Sequence, residues 1–311
     1  MKVISALIVL GCFLGGCGEQ AAPPTVLETT GKPVIYTTFY PTSYFAQRIG
    51  GEAVEVVCPV PEDEDAIFWM PDDATIAAYQ KADLIVVNGA GFEKWVKRVS
   101  LPDARVIDTA RPFRDRFLRY EGTTTHSHGP AGEHAHEGVD GHTWVDPVNA
   151  RIQADEIRKA LARFRPEQAA TFGAGFEKLA ADLDALDKTL RALSGEDGGP
   201  PLLASHPAYN YVADRYGWHL VNLDLDPETM PDDATFAAIR KILDEHPANF
   251  ILWEGEPTAE IAERFSGELG LTSVLFSPCE LLSGDEIGAG LDYLKVMRQN
   301  LKQIEPVFMT K

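Results

Sequence analysis

Residues 166–194 read PEQAATFGAGFEKLAADLDALDKTLRALS, and the spacing of their apolar side chains decides the architecture. Phe172, Phe176, Leu179, Leu183, Leu186, Leu190 and Leu193 recur at intervals of 4, 3, 4, 3, 4 and 3. That spacing lays one apolar stripe along a single long helix. At 1.5 Å rise per residue the segment makes a rod of roughly 40 Å. The heptad pattern barely reaches three repeats and lies mid-chain, which favours an intramolecular spine between two domains over a coiled coil. A shorter helix from Pro147 to Phe164 leads into the spine, and the GEDGGPP run at 195–201 ends it. A rigid helical link implies lobes that do not swing widely.

On either side of the spine, apolar strands alternate with helices. Before it come strand Val34–Phe39, a helix through Ile49, strand Ala53–Val60, a helix capped by Asp72 or Asp73 and ending near Ala82, strand Leu84–Asn88, helix Phe92–Val99 and strand Arg105–Ile107. After it come strand Leu202–Ser205, helix Ala208–Tyr216, strand His219–Leu223, helix Asp233–His246, strand Asn249–Trp253, helix Thr258–Leu269, strand Ser273–Phe276 and a last helix from Glu286 to about Ile304. Continuous apolar strands separated by helices predict an α/β fold in which each lobe is a mainly parallel sheet flanked by helices. MPDDAT at 70–75 recurs at 230–235, each copy followed by one apolar residue and Ala-Ala. Pro and Asp open a helix in both, with Asp as N-cap, so the two lobes share one design.

The N-terminus has a short positive start (Lys2), an apolar run from Val3 to Leu14 and then Leu14-Gly-Gly-Cys17. This is the pattern of a secretory signal and too short to span a bilayer; its ending resembles a bacterial lipobox, which implies cleavage before Cys17 and lipidation of that thiol. The expected organisation is signal peptide 1–16, tether 17–32, N-terminal lobe 33–146 with a His-rich loop at 122–141, linking helices 147–195 and C-terminal lobe 196–311. Cys58 and Cys279 then remain, able to pair in an oxidising compartment but too few for a disulfide scaffold. The net charge of −19 argues against nucleic acid and anionic membrane surfaces as partners and suits a protein that attracts cations.

Five of the eight histidines fall within 17 positions. His126, His128, His134 and His136 alternate with small or acidic residues in glycine-rich sequence; His142 opens the compact GHTWVDP that follows. Neutral imidazole is the commonest protein ligand for metals such as zinc. A polar His tract that ends at one fixed His therefore suggests metal gathered and then held. An ordinary soluble loop is the competing reading.

Signal plus lipobox, TTFYPTSYFAQRIGGEAVEV, QKADLIVVNGAGFEKW, the His-rich loop, GHTWVDPVNA, ASHPAYNYVADRYG and YLKVMRQNLKQI together resemble the metal-binding lipoproteins of zinc and manganese ABC importers, the cluster A-I solute-binding proteins. The resemblance spans essentially the whole mature chain. It implies two α/β lobes on a backbone helix, one divalent metal in the cleft, a membrane permease as partner, and attachment to a bacterial membrane through a lipid anchor only, on its periplasmic side or at the cell surface. The expected ligands are His142 in GHTWVDP and His206 in Ala204-Ser-His-Pro-Ala-Tyr209. The family's first-lobe His position falls on Asp65 here, within the acidic run 62–65, where Glu62, Asp63 or Glu64 could substitute. The usual late Asp is replaced by Ser277, so Cys279, Glu280, Glu254 or water could supply the fourth donor. Zinc is the expected cargo because of the His-rich loop, with manganese or iron(II) the alternatives that added oxygen donors would favour.

A surface adhesin with a structural metal is a second reading. A zinc hydrolase would also use two His and a carboxylate, but no HExxH helix is present. Gly89-Ala-Gly91 lacks the full nucleotide-binding fingerprint. The expectation is a monomeric, non-catalytic metal receptor whose binding fails as pH drops through the imidazole range.

Overall fold

The computed structural model describes residues 31–309, apart from residue 63, residues 121–123, 128–132 and 137. The signal segment, Cys17, most of the tether, Asp63 and His128 lie outside the described residues. Residues 32–311 cluster as one compact unit.

The first half begins with β1 (Val34–Thr37), α1 (Tyr40–Gly50) and β2 (Glu55–Val57). Next come α2 (Asp73–Lys81), β3 (Leu84–Val87) and β4 (Val106–Asp108). A two-stranded antiparallel hairpin, β5 (Thr124–Ser127) and β6 (Glu133–His136), occupies the His-rich stretch; its register sets His126 opposite His134. Then come α3 (Pro147–Phe164) and α4 (Ala169–Ser194). The second half runs β7 (Leu202–Ala204), α5 (Asn210–Tyr216), β8 (Leu220–Asn222), α6 (Asp233–Glu245) and β9 (Phe250–Trp253). It closes with α7 (Ala259–Leu269), β10 (Thr272–Leu275), α8 (Gly284–Gly288) and α9 (Tyr293–Met309).

Both four-stranded sheets are parallel throughout. The first has the order β2-β1-β3-β4; read from its other edge, the second is β8-β7-β9-β10. The strand order is therefore the same in both, and each MPDDAT copy opens the helix that leads into the third strand. Asp72 accepts from Thr75 N and Asp232 from Thr235 N, both at 2.7 Å, as the repeated N-caps. The repeat is thus carried by the fold as well as by the words.

The spine α4 buries Phe172, Phe176, Leu179, Leu183, Leu186 and Leu190, with Leu193 partly covered. Its 26 residues begin three later than the sequence suggests, because Pro166–Gln168 form a separate 3-10 turn. A Cβ on Gly175 would come within 2.4 Å of Ile49 O, so glycine is what lets α1 lie against the spine. One apolar cluster runs from β1 and α1 through α3 and α4 to β7, β9 and α9. Both sheets therefore share a continuous core, which makes independent lobe motion costly.

Two expected elements differ. Residues 92–99 do not form an α-helix; only Val96–Arg98 make a 3-10 turn. Glu93 instead turns inward, accepting from Thr38 Oγ1 at 2.5 Å and Asn88 N at 2.6 Å, while Lys94 N donates to Ile67 O. Tertiary bonds have displaced the helical ladder. The last helix is broken into α8 and α9, with Gly290 at φ +86°, a backbone state that suits glycine.

Candidate metal centre

In each parallel sheet the chain leaves the carboxyl ends of its strands toward the cleft side, the usual position for ligand groups in α/β folds. His206 stands two residues past β7, Glu254 directly after β9, and Glu280 on the segment that leaves β10. His142 arrives from the other direction, just beyond the stalk of the hairpin.

These side chains converge. His142 Nε2 lies 3.4 Å from His206 Nε2 and 3.1 Å from Glu280 Oε1. Donor atoms of His142, His206 and Glu280 all fall within 4.8 Å of one another. Tetrahedral zinc with bonds of about 2.0 Å separates neighbouring donors by roughly 3.3 Å. The two closest separations match that edge, so the triad fits zinc in both chemistry and size. Both histidines are buried and Glu280 is partly buried.

Each imidazole is oriented from behind. His142 Nδ1 donates to Asp140 Oδ1 at 2.8 Å, and the same oxygen accepts the His142 backbone N–H at 2.9 Å and the Tyr120 hydroxyl at 3.0 Å. Asn210 Nδ2 holds the other oxygen of Asp140 at 2.9 Å. His206 Nδ1 lies 3.5 Å from Glu254 Oε2. At His142 the Asp140 carboxylate on Nδ1 fixes the tautomer and turns Nε2 toward the metal position. Burial alone would pull the His142 pKa down, but hydrogen bonds and charge from Asp140 and Glu280 outweigh it and raise the value to about 10. Burial, followed by the charge of Glu280, pushes the Glu254 carboxyl well above its ordinary range. Asp140 and Glu280 therefore favour the protonated imidazole at His142.

Glu280 owes its place to an unusual turn. Ser277 N donates to Asn300 Oδ1 (3.0 Å) and its Oγ accepts from Cys279 N (3.2 Å). Pro278 O accepts from Trp144 Nε1 (2.7 Å). Cys279 is buried at φ +58°, a left-handed state rare for a residue with a Cβ. Such strain survives only where surrounding contacts over-determine it; here it carries the next residue into the site.

His142 and His206, both expected from sequence, are brought together. Among the open candidates for a further donor, Glu280 joins them and Glu254 backs His206. Ser277 serves the turn, and Cys279 is buried within it. Cys58 and Cys279 are both free thiols, so the possible disulfide is absent. Asp65 is not one of the three converging groups: its Oδ1 accepts from Ile67 N at 2.8 Å. Its negative charge nevertheless bears on Glu254 and helps raise that carboxyl. Glu64 is exposed, and Glu62 accepts from Gly284 N at 2.8 Å across the cleft. Asp140 is not among the residues the sequence singles out; its position two residues before a candidate ligand is the signal the sequence offers.

Two α/β lobes of matching strand order on a helical spine, with two imidazoles and a carboxylate converging between them, define the class of two-lobed metal-binding receptors. The chain belongs to the family described as zinc-uptake complex component A, periplasmic, whose model matches residues 35–307. It is 29% identical over 312 residues to the zinc-binding lipoprotein AdcA of Streptococcus pneumoniae, covering 98% of this chain and 61% of that one. To the high-affinity zinc uptake system protein ZnuA of Bacillus subtilis it is 26% identical over 311 residues, covering 98% and 97%. The crystal structure of Zn(II)-bound AdcA from Streptococcus pneumoniae superposes with a TM-score of 0.77 at 26% identity, over 90% of this chain and 59% of that one. The chain therefore spans about three fifths of the AdcA length and nearly all of ZnuA.

Proposed function

We propose that the protein is the extracytoplasmic receptor of a zinc importer, which binds one zinc ion as cargo and passes it to a membrane permease without catalytic turnover. The observation that carries this reading is the pair of donor separations, 3.4 Å and 3.1 Å, which are those of a tetrahedral zinc site. His142, His206 and Glu280 hold the cargo, and Asp65 completes the set from the first lobe. Asp140 and Glu254 keep both imidazoles presenting Nε2. Cys17 carries the lipid anchor, the protein acts as a monomer, and His126, His128, His134 and His136 gather metal at low affinity ahead of the buried site. A hydrolase would need a general base beside an open metal position; the buried Glu254 carboxylate instead stands behind His206.

Metal titration of the purified protein followed by native mass spectrometry tests the reading. One tightly held zinc, lost in His206→Ala, is the expected result. Retention of no metal at micromolar zinc would sink it, and zinc-dependent turnover of ester or peptide substrates would favour the hydrolase.

A further inference from the structure

A cationic cavity lies away from the metal triad, in a chain whose overall charge is −19. Residues 94–119 carry eight Lys and Arg against three Asp, a strongly basic stretch in an acidic protein. The chain folds part of it around a cavity of about 960 Å³ whose lining includes Lys94, Lys97, Arg98 and Arg119. Lys97, Arg98 and Arg119 are exposed, and no carboxylate among the described residues pairs with them. Asp108 is the one acidic residue in the lining, and its Oδ1 accepts from Arg111 N at 3.1 Å. The inner wall includes Trp95, fully buried, whose Nε1–H has no hydrogen-bond acceptor; Phe117 adds a second aromatic surface.

We propose that this cavity binds a small organic anion carrying two or more carboxylate or phosphate groups on a partly apolar body. Its volume is that of a small-molecule pocket rather than of a site for a single inorganic ion. Guanidinium and ammonium groups at the rim match the charged oxygens, and the partly accessible ring of Phe117 suits the body. Because the rest of the molecule repels anions, this basic cavity is where the local field admits one. The inference does not depend on the identity of the metal cargo.

The probe is benzene-1,3,5-tricarboxylate, added to zinc-loaded protein at about 10 mM ionic strength and followed by calorimetry. Zinc content is measured before and after, so that metal stripping is not mistaken for binding. Saturable binding is expected, at least tenfold weaker in the double variant Lys97→Glu/Arg98→Glu, restored in Lys97→Arg/Arg98→Lys, and weakened at 0.15 M salt as screening shortens to about 8 Å. Zinc affinity should be unchanged in both variants. Absence of binding at millimolar probe, or equal binding by the charge-reversed variant, would overturn the proposal. So would adsorption to phosphatidylglycerol vesicles without binding of the soluble trianion, which would make the patch a membrane-facing surface.

Discussion

The carboxyl edges of the two sheets have the same strand order and opposite chemistry. In the second sheet, the chain beyond β7, β9 and β10 delivers His206, Glu254 and Glu280 to one point. In the first, the corresponding edge closes on itself. Asn88, just past β3, donates to Gly141 O (2.8 Å) and accepts from Thr143 Oγ1 (3.0 Å) and Gln153 Nε2 (2.7 Å). Gln153 also reaches Thr109 Oγ1 at 3.0 Å, and Glu93 ties Thr38 to Asn88. One edge gathers candidate ligand groups at one place, whereas the other spends its polar groups on the loop that carries His142. Matching architecture has divided the work: the second edge supplies candidate ligands directly, and the first positions the loop that supplies His142.

The largest effect should come from the second edge. Glu280→Gln keeps the size and an amide oxygen but removes the charge, and His206→Ala removes a donor outright. Each should weaken zinc by more than ~100-fold, beyond the range of losses at groups that only orient ligands. Competition against a fluorescent zinc chelator measures this; a loss below tenfold in Glu280→Gln would remove that carboxylate from the metal.

Asp140, which joins the two halves, comes next. Asp140→Asn should cost ~10–100-fold in zinc affinity, because His142 loses its anionic partner and one of the two carboxylate oxygens that accept from His142, Tyr120 and Asn210 becomes a donor. The proton on His142 gives a sign that can be checked. Its folded value of about 10 lies above the unfolded value near 6.5, so in the metal-free protein its stabilisation is complete below about pH 6.5 and is lost as pH rises through about 10. Zinc competes with that proton, so the rise in Tm on adding zinc should grow with pH across the same window. Calorimetric scans from pH 6 to 9 with and without zinc test this; a zinc-induced shift that shrinks with pH would contradict it.

The sequence made the two halves visible more readily than their division of labour. The stripe from Phe172 to Leu193 and the twin MPDDAT starts are local patterns, set by helix period and by capping, and both were legible. His142 and His206 were legible because each follows an element boundary in a recognisable motif. Glu280 was only one of several open candidates, because its position depends on a left-handed Cys279 and on bonds from Asn300 and Trp144, far away in the chain. The missing helix at 92–99 has the same cause: Glu93 bonds to Thr38 and Asn88, and no local propensity encodes that.

Asp65 tests whether the first half contributes a second ligand beside His142. Asp65→Asn preserves an oxygen for Ile67 N and so keeps the turn, but it removes the charge felt at Glu254. About a tenfold loss of zinc affinity is expected, less than for Glu280 because one oxygen is already engaged; outer-sphere and partial ligands fall in this range. Affinity equal to wild type would transfer the fourth position to water.

The smallest effect on zinc should come from the closed edge. Asn88→Ala would strand the Thr143 hydroxyl in a dry interior and take one of two partners from Gln153 Nε2 and from Gly141 O, and a buried polar group without its partner costs about 1–3 kcal/mol. Urea denaturation should therefore show a marked fall in stability. Zinc affinity should change by less than about tenfold, since Asp140 still grips His142 from its own backbone and side chain. The reverse outcome, unchanged stability with a large loss of zinc, would mean that the loop's position rests on Asn88 alone and that the first edge is part of the ligating apparatus.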